Sequence, residues 1–221
     1  VVMDELHFLD NNFRGDQLRI LLKRIAKISD NTNELNYYAM SATINEPSEM
    51  CERYFENYEI IISKGSRKIV FATIDADNNF NELKKIKKIF MDQKINRAIF
   101  FCNSRKKTIK ITAKLKEIFG RDDRIFEHHS SISSEVRKYV EKEMAREDNI
   151  LSFCVATASL EIGIDIGNIQ AVVLIEPPLT VSSLLQRIGR GNRRTNKTKC
   201  FGVFEIPEDK KVFSEMIDDA R

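Results

Sequence analysis

Strand-like and helix-like runs alternate along most of this chain. After a short apolar run at Val1-Val2-Met3, Leu18, Leu21, Leu22, Ile25 and Ile28 recur at helical spacing and predict an amphipathic helix over Asp16 to Ile28. Residues 36–40 predict a short strand, Glu46-Pro47 opens a helix running to Phe55, and 59–62 predict a third strand. A break at 63–65 precedes a strand over 68–74 and a polar spacer at 75–79. Phe80 to Asp92 reads as a helix with Leu83, Ile86, Ile89 and Phe90 inward and Lys84, Lys85, Lys87 and Lys88 on a solvated face. A buried strand follows at 98–101, then a helix marked by Thr108, Ile111, Leu115, Ile118 and Phe119 and closed by Gly120. A strand from Ile125-Phe126 leads into His128-His129-Ser130-Ser131, and Ser133 can cap a helix with Val136, Tyr139, Val140 and Met144 on one face. Strands at 150–155, 170–175 and 199–206 follow, with a helix from Val181 and a last one after Pro207. This alternation predicts an α/β fold, a parallel sheet covered by helices on both faces. The junction near Lys64 divides it into residues 1–63 and 66–221.

Composition narrows the class. With 42% hydrophobic and 31% charged residues over 221 positions, a packed core is expected. A net charge of +3 leaves any anionic partner to local clustering. No apolar run approaches the roughly 20 residues a membrane span needs, and no secretory signal is visible. Cys51, Cys102, Cys154 and Cys200 form no Cys-x-x-Cys pair and predict free thiols in a reducing, cytoplasmic setting.

Three stretches carry candidate chemistry. Val1-Val2-Met3 ends in Asp4-Glu5-Leu6-His7 and reads as a buried parallel strand delivering acids to its carboxyl end, where open α/β sheets bind ligands. One such carboxylate can hold the shell of a Mg²⁺ ion while its neighbour orients an attacking water; read alone, the pair is more often an ordinary surface couple. Ser41-Ala42-Thr43 places two hydroxyls at a strand end, where a helix N-cap is the simpler reading. Gln186 to Arg194 packs four arginines around Gly189 and Gly191. Arginine offers a rigid, permanently charged fork of donors that matches phosphate oxygens. A helix breaking at Gly189 would aim Arg190 and Arg193 into a cleft.

Together these stretches, with Phe101 to Arg105 and Ala156 to Asp165, resemble the superfamily 2 helicases in order and spacing, closest to the DExH groups. His128 to Ser133 and Thr157 to Asp165 look most like the Lhr-like (large helicase-related) branch. The resemblance covers essentially the whole chain. It implies RecA-like domains of the P-loop NTPase type: residues 1–63 as the back part of a first, ATP-binding domain and 66–221 as a nearly complete second one. It also implies roles. Asp4 and Glu5 would serve Mg²⁺ and the hydrolytic water, and His7 would bridge toward Gln186. Ser41 and Thr43 would couple nucleotide state to strand grip. Gly163 and Asp165 would lie near the nucleotide sugar. Arg190 and Arg193 would meet the γ-phosphate, Arg193 as arginine finger. Asn103, Ser104, Arg105, His129 and Thr157 would contact the phosphates of a DNA or RNA strand. Arg187 and Arg194 would be structural or phosphate-steering, and His128 a packed strand end or a nucleic-acid contact.

Two positions depart from the family pattern: Gly191-Asn192 between the cleft arginines, where asparagine tolerates a left-handed backbone, and Ser130 where glycine is usual. Nothing in the chain resembles the Gly-rich Lys-Thr/Ser phosphate loop. That loop is expected upstream of Val1, in the remainder of an ATP-dependent helicase. The chain alone is expected to be inactive. A catalytically inactive nucleic-acid-binding module and a double-strand translocase without unwinding are the alternatives.

Overall fold

A computed structural model describes residues 1–10, 12–29, 35–41, 46–62, 68–120, 124–146, 148–161, 166–192 and 197–219. The chain forms two compact units, Val1–Gly65 and Ser66–Arg221. No helix among the described residues is long and apolar enough to cross a membrane.

In the first unit, β1 (Val2–Met3) pairs in parallel with β2 (Tyr38–Ala39), Met3 opposite Ala39. The parallel direction is as expected, but the strand is not fully buried: Met3 is covered while Val2 is 65% exposed. α1 (Phe13–Ile28) starts where the Asn12 side chain accepts from the Arg14 N–H, satisfying a donor that a helix start leaves open. Of its predicted inward residues, Leu22 is buried, Leu18 and Ile25 are half-buried, and Leu21 and Ile28 are exposed. Two very short strands offer too little apolar surface to cover them all. α2 (Pro47–Tyr54) carries its proline in the first turn, and Arg53 Nε ties it to Asp10 Oδ1 at 3.0 Å. The strand expected at 59–62 does not form. Its β-propensity finds no pairing edge among the described residues, and Ile61 and Ile62 are 87% and 70% exposed.

The second unit is a six-stranded, wholly parallel sheet of β3 (Lys68–Asp75), β4 (Arg97–Phe101), β5 (Arg124–His128), β6 (Ser152–Ala156), β7 (Ala171–Leu174) and β8 (Lys197–Phe204). The strand order is β3-β8-β7-β4-β6-β5. The central β4, β6 and β7 are buried at every position, as near-continuous apolar runs between two helical layers must be. Alternate residues serve opposite faces. Ala98, Phe100, Phe153, Val155 and Val173 meet Leu83, Ile86 and Phe90 of α3 (Leu83–Asp92) and Ile111 and Leu115 of α4 (Arg105–Phe119). Ile99, Phe101, Cys154, Val172 and Leu174 meet α5 (Ser134–Ala145), α6 (Val181–Gly189) and α7 (Pro207–Asp219).

Local chemistry sets the helix ends. Ser104, Ser133 and Thr180 side chains cap α4, α5 and α6, and Gly120, at φ 125°, closes α4. Lys87 is not part of a solvated face. Its Nζ donates to the Ile118 carbonyl at 2.7 Å and lies 5.4 Å from the Phe119 ring centroid, because its alkyl stem can cover apolar surface on the way. On α5, Val140 and Met144 are buried but Val136 and Tyr139 are exposed, so the apolar face is half as wide as predicted. All four cysteines are free; burial pushes the Cys102 and Cys200 thiols up to about 12 and raises Cys154 as well.

Phe153 centres the first core, with ring centroids 5.6 Å from Phe90, 5.5 Å from Phe100 and 4.8 Å from Phe119. Phe153→Ala should lower the unfolding free energy of the second unit by about 3–5 kcal/mol, read as a shift in the urea midpoint.

Candidate functional site

Because every strand of the second unit points the same way, their carboxyl ends collect at one edge, where open α/β sheets place ligands. Phe101 stands opposite both Ala156 and Leu174, and Ala156 opposite His128. Asn103, Thr157, His129 and Glu176 therefore leave the sheet side by side. Asn103, Ser104 and Arg105 are exposed there, at the start of α4, and Thr157 is half-buried.

Behind this rim lies a buried polar network. Arg187, 3% exposed, donates from Nε to Glu161 Oε1 at 2.7 Å and from Nη1 to Asn103 Oδ1 at 3.0 Å. Its guanidinium sits 5.3 Å from the Phe101 ring centroid. Ser183 Oγ donates to the same Glu161 oxygen at 2.9 Å. Asn103 Nδ2 donates to the Pro177 carbonyl at 2.7 Å, and its backbone N–H donates to Glu176 Oε2 at 2.8 Å. Arg187, expected to be structural or phosphate-steering, is bonded on two sides within this network.

Arg190 differs from expectation. It ends α6 but is only 8% exposed, and its Nη2 donates to the Glu161 backbone carbonyl instead of projecting freely. The helix continues through Gly189, so Arg190 follows the same face as Ser183 and Arg187. Gln186 is buried as well. Asn192 adopts φ 42°, the left-handed conformation that asparagine accepts more readily than most residues. His129 is also buried, its Nε2 3.8 Å from Glu127 Oε2, which removes it from the rim where a strand contact was expected. His128 is packed: Nδ1 lies 3.0 Å from Ser159 Oγ and Nε2 3.2 Å from Glu141 Oε1. Thr43, Gly163, Asp165, Arg193 and Arg194 lie outside the described residues.

In the first unit three of the candidate residues, Glu5, His7 and Ser41, lie together. His7 Nδ1 is 2.5 Å from Ser41 Oγ and 3.5 Å from Glu5 Oε2. Ser41 is thus bonded to the acidic turn. Glu5 has φ 53° and ψ 43°, a left-handed backbone that strains a non-glycine residue by on the order of 1–3 kcal/mol. Asp4 is exposed. Among the described residues no group of three or more metal-ligating side chains forms. The donor set instead suits a Mg²⁺ ion that keeps water and phosphate ligands and asks the protein for one or two carboxylates.

Residues 81–195, just over half of the chain, match the family of helicase conserved C-terminal domains. The chain belongs to that helicase family. Its relatives include the ATP-dependent helicase Lhr-Core of Methanocaldococcus jannaschii, 31% identical over 98% of this chain and 26% of that protein. The Saccharolobus solfataricus Lhr-Core is 29% identical over 96% of this chain and 26% of that protein. The chain thus spans about a quarter of the length of these curated relatives. Among solved structures, the Mycobacterium smegmatis helicase Lhr bound to ssDNA and AMP-PNP superposes with a TM-score of 0.80 at 24% identity, over 100% of this chain and 30% of that one. The helicase MrfA bound to DNA gives 0.78 at 24%, over 98% and 33%. The helicase chain is therefore of the Lhr-like branch of superfamily 2, with a RecA-like fold.

Sequence reasoning missed Glu161, Ser183, Glu141 and Ser159. The spacing of Ser183, Arg187 and Arg190, i, i+4 and i+7 on one helix face, was the available signal that a buried acceptor faces them.

Burial lowers the His128 pKa from its ordinary 6.5, with Glu141 opposing the shift. The folded helicase chain therefore holds the ring neutral while the unfolded chain protonates first. Stability from this group is complete above pH 6.5 and is lost as pH falls from there through the lowered folded value. Urea unfolding at pH 8 and pH 5 should show a loss in wild type that His128→Gln reduces.

Proposed function

We propose that this chain forms part of an ATP-dependent helicase that couples triphosphate hydrolysis to movement along, and unwinding of, DNA or RNA. The observation carrying the reading is the His7–Ser41 hydrogen bond at 2.5 Å beside Glu5. It joins the acid pair to the segment that the family resemblance assigns to coupling. In this reading Asp4 would hold a Mg²⁺ ion, which would supply positive charge to the phosphates, and Glu5 would orient the attacking water. His7 fixes the Glu5 carboxylate relative to Ser41, with Thr43 beside it in sequence. Gly163 and Asp165 serve the nucleotide sugar. Arg193 supplies the charge that meets the γ-phosphate. Arg190, held to the Glu161 carbonyl, fixes the end of α6, from which the chain runs on to Arg193. Asn103, Ser104, Arg105 and Thr157 face the strand's phosphates, a sequence-independent contact strengthened by the positive end of α4.

The test is phosphate release by the full-length protein with and without single-stranded DNA or RNA. Wild type should be stimulated by a strand, Arg193→Ala should lose about 10³-fold or more of that rate, and Glu5→Gln should lose it too. Strand affinity, followed by fluorescence anisotropy, should fall steeply with salt. The 221-residue chain by itself, without a Gly-rich Lys-Thr/Ser loop in its sequence, should release none. Stimulated turnover by that chain, or an unimpaired Arg193→Ala enzyme, overturns the reading. Strand binding without hydrolysis in the full-length protein supports a binding module in its place.

A further inference from the structure

We propose that Glu161 and Arg187 are positioning residues: a buried relay through which the nucleic-acid-facing start of α4 sets the placement of the Arg190 turn. The inference rests on the helicase reading above and adds to it two residues and a physical route.

The route is continuous and lies wholly within the second unit. At its outer end Asn103 is exposed, and its side chain holds two partners at once, the Pro177 carbonyl at 2.7 Å and Arg187 Nη1 at 3.0 Å. Arg187 passes the constraint inward to Glu161 Oε1 at 2.7 Å, and Ser183 Oγ, one turn earlier on the same helix, completes that oxygen's bonding at 2.9 Å. Glu161 closes the route through its backbone: its carbonyl accepts from Arg190 Nη2. Three features make this a relay and not a loose polar patch. The ion pair is buried, so it is little screened and each partner depends on the other for charge compensation. The Arg187 fork is planar and rigid, and the Phe101 ring beneath it restricts the plane in which it can turn. The same glutamate binds α6 twice, by carboxylate and by carbonyl, so displacing its side chain displaces the group that holds Arg190. A strand phosphate that drew the Asn103 amide outward would loosen Arg187 Nη1 and re-aim the guanidinium. That shift would reach Arg190 through the carboxylate and then the carbonyl of Glu161.

Two readouts separate this inference from the functional reading beneath it. Hydrogen exchange of the 221-residue chain needs no activity. Asn103→Ala should speed exchange of backbone amides at 187–191 as well as at 103–107, and Glu161→Gln should do the same at 187–191. Acceleration confined to 103–107 for Asn103→Ala overturns the relay. In the full-length protein, Glu161→Gln should lower the ratio of strand-stimulated to unstimulated ATP hydrolysis by about tenfold, the size of typical coupling energies. Strand affinity without nucleotide and KM for ATP should stay within about twofold of wild type, well inside that coupling range. A double-mutant cycle should show that Asn103→Ala adds little to the loss in a Glu161→Gln background. Should Glu161→Gln unfold the protein, Ser183→Ala, which removes one bond to the same oxygen, is expected to give a smaller fall in the same ratio. Additive losses, or an unchanged ratio in a folded variant, overturn the relay. A wild-type enzyme with no strand stimulation sinks the functional reading, while the exchange result still decides the physical coupling.

Discussion

Parallel pairing across all six strands is the constraint from which the second unit follows. It forces every connection to cross from one end of the sheet to the other, which puts helices on both faces and makes the central strands apolar throughout. It also gathers the carboxyl ends at one edge, so residues as far apart in sequence as Asn103 and Thr157 become neighbours without any contact designed between them. The edge is set by the core packing of residues such as Phe100, Phe153 and Val173, which take no part in chemistry.

Against that apolar background the Glu161–Arg187 pair stands out energetically. Taking two charges out of water costs several kcal/mol per ion, and a buried pair often does no better than well-packed apolar side chains of the same volume. Stability therefore does not account for it. What the pair supplies is direction: the carboxylate has one oxygen bonded by two donors from α6, and the guanidinium reaches the rim at Asn103. An apolar substitute would fill the space and leave Asn103 and Arg190 without a shared reference.

The sequence was most legible where one rule acted alone. The fully apolar runs of β4, β6 and β7 and the capping serine before α5 could be read directly, because burial on both sides or a single hydrogen bond decides each. Reading failed where a residue's fate depends on what lies across from it. Leu21 and Ile28 have helical spacing but little to cover them, residues 59–62 have strand propensity but no described partner, and Lys87 finds a carbonyl from another helix. The site divides the same way. Its charged positions announce themselves through the family pattern, whereas the inward turn of Arg190 and the burial of His129 depend on acceptors and walls that no local spacing encodes. Glu161 went unremarked because a lone glutamate in an apolar context carries no periodic signal.

The acidic turn of the first unit shows how a strained residue can be held in place. Glu5 sits in a left-handed conformation immediately after β1, so its carboxylate is directed by a backbone that would relax if released. Three bonds prevent that: Met40 N–H to the Met3 carbonyl at 2.8 Å, Leu6 N–H to the Met40 carbonyl at 3.3 Å, and the His7–Ser41 contact. All three attach the turn to residues 40 and 41. The strain is thus stored against the very segment that the helicase resemblance assigns to coupling. Displacing Ser41 would loosen the His7 ring and with it the setting of the Glu5 carboxylate, so in the proposed function the orientation of the hydrolytic water would follow the position of that segment.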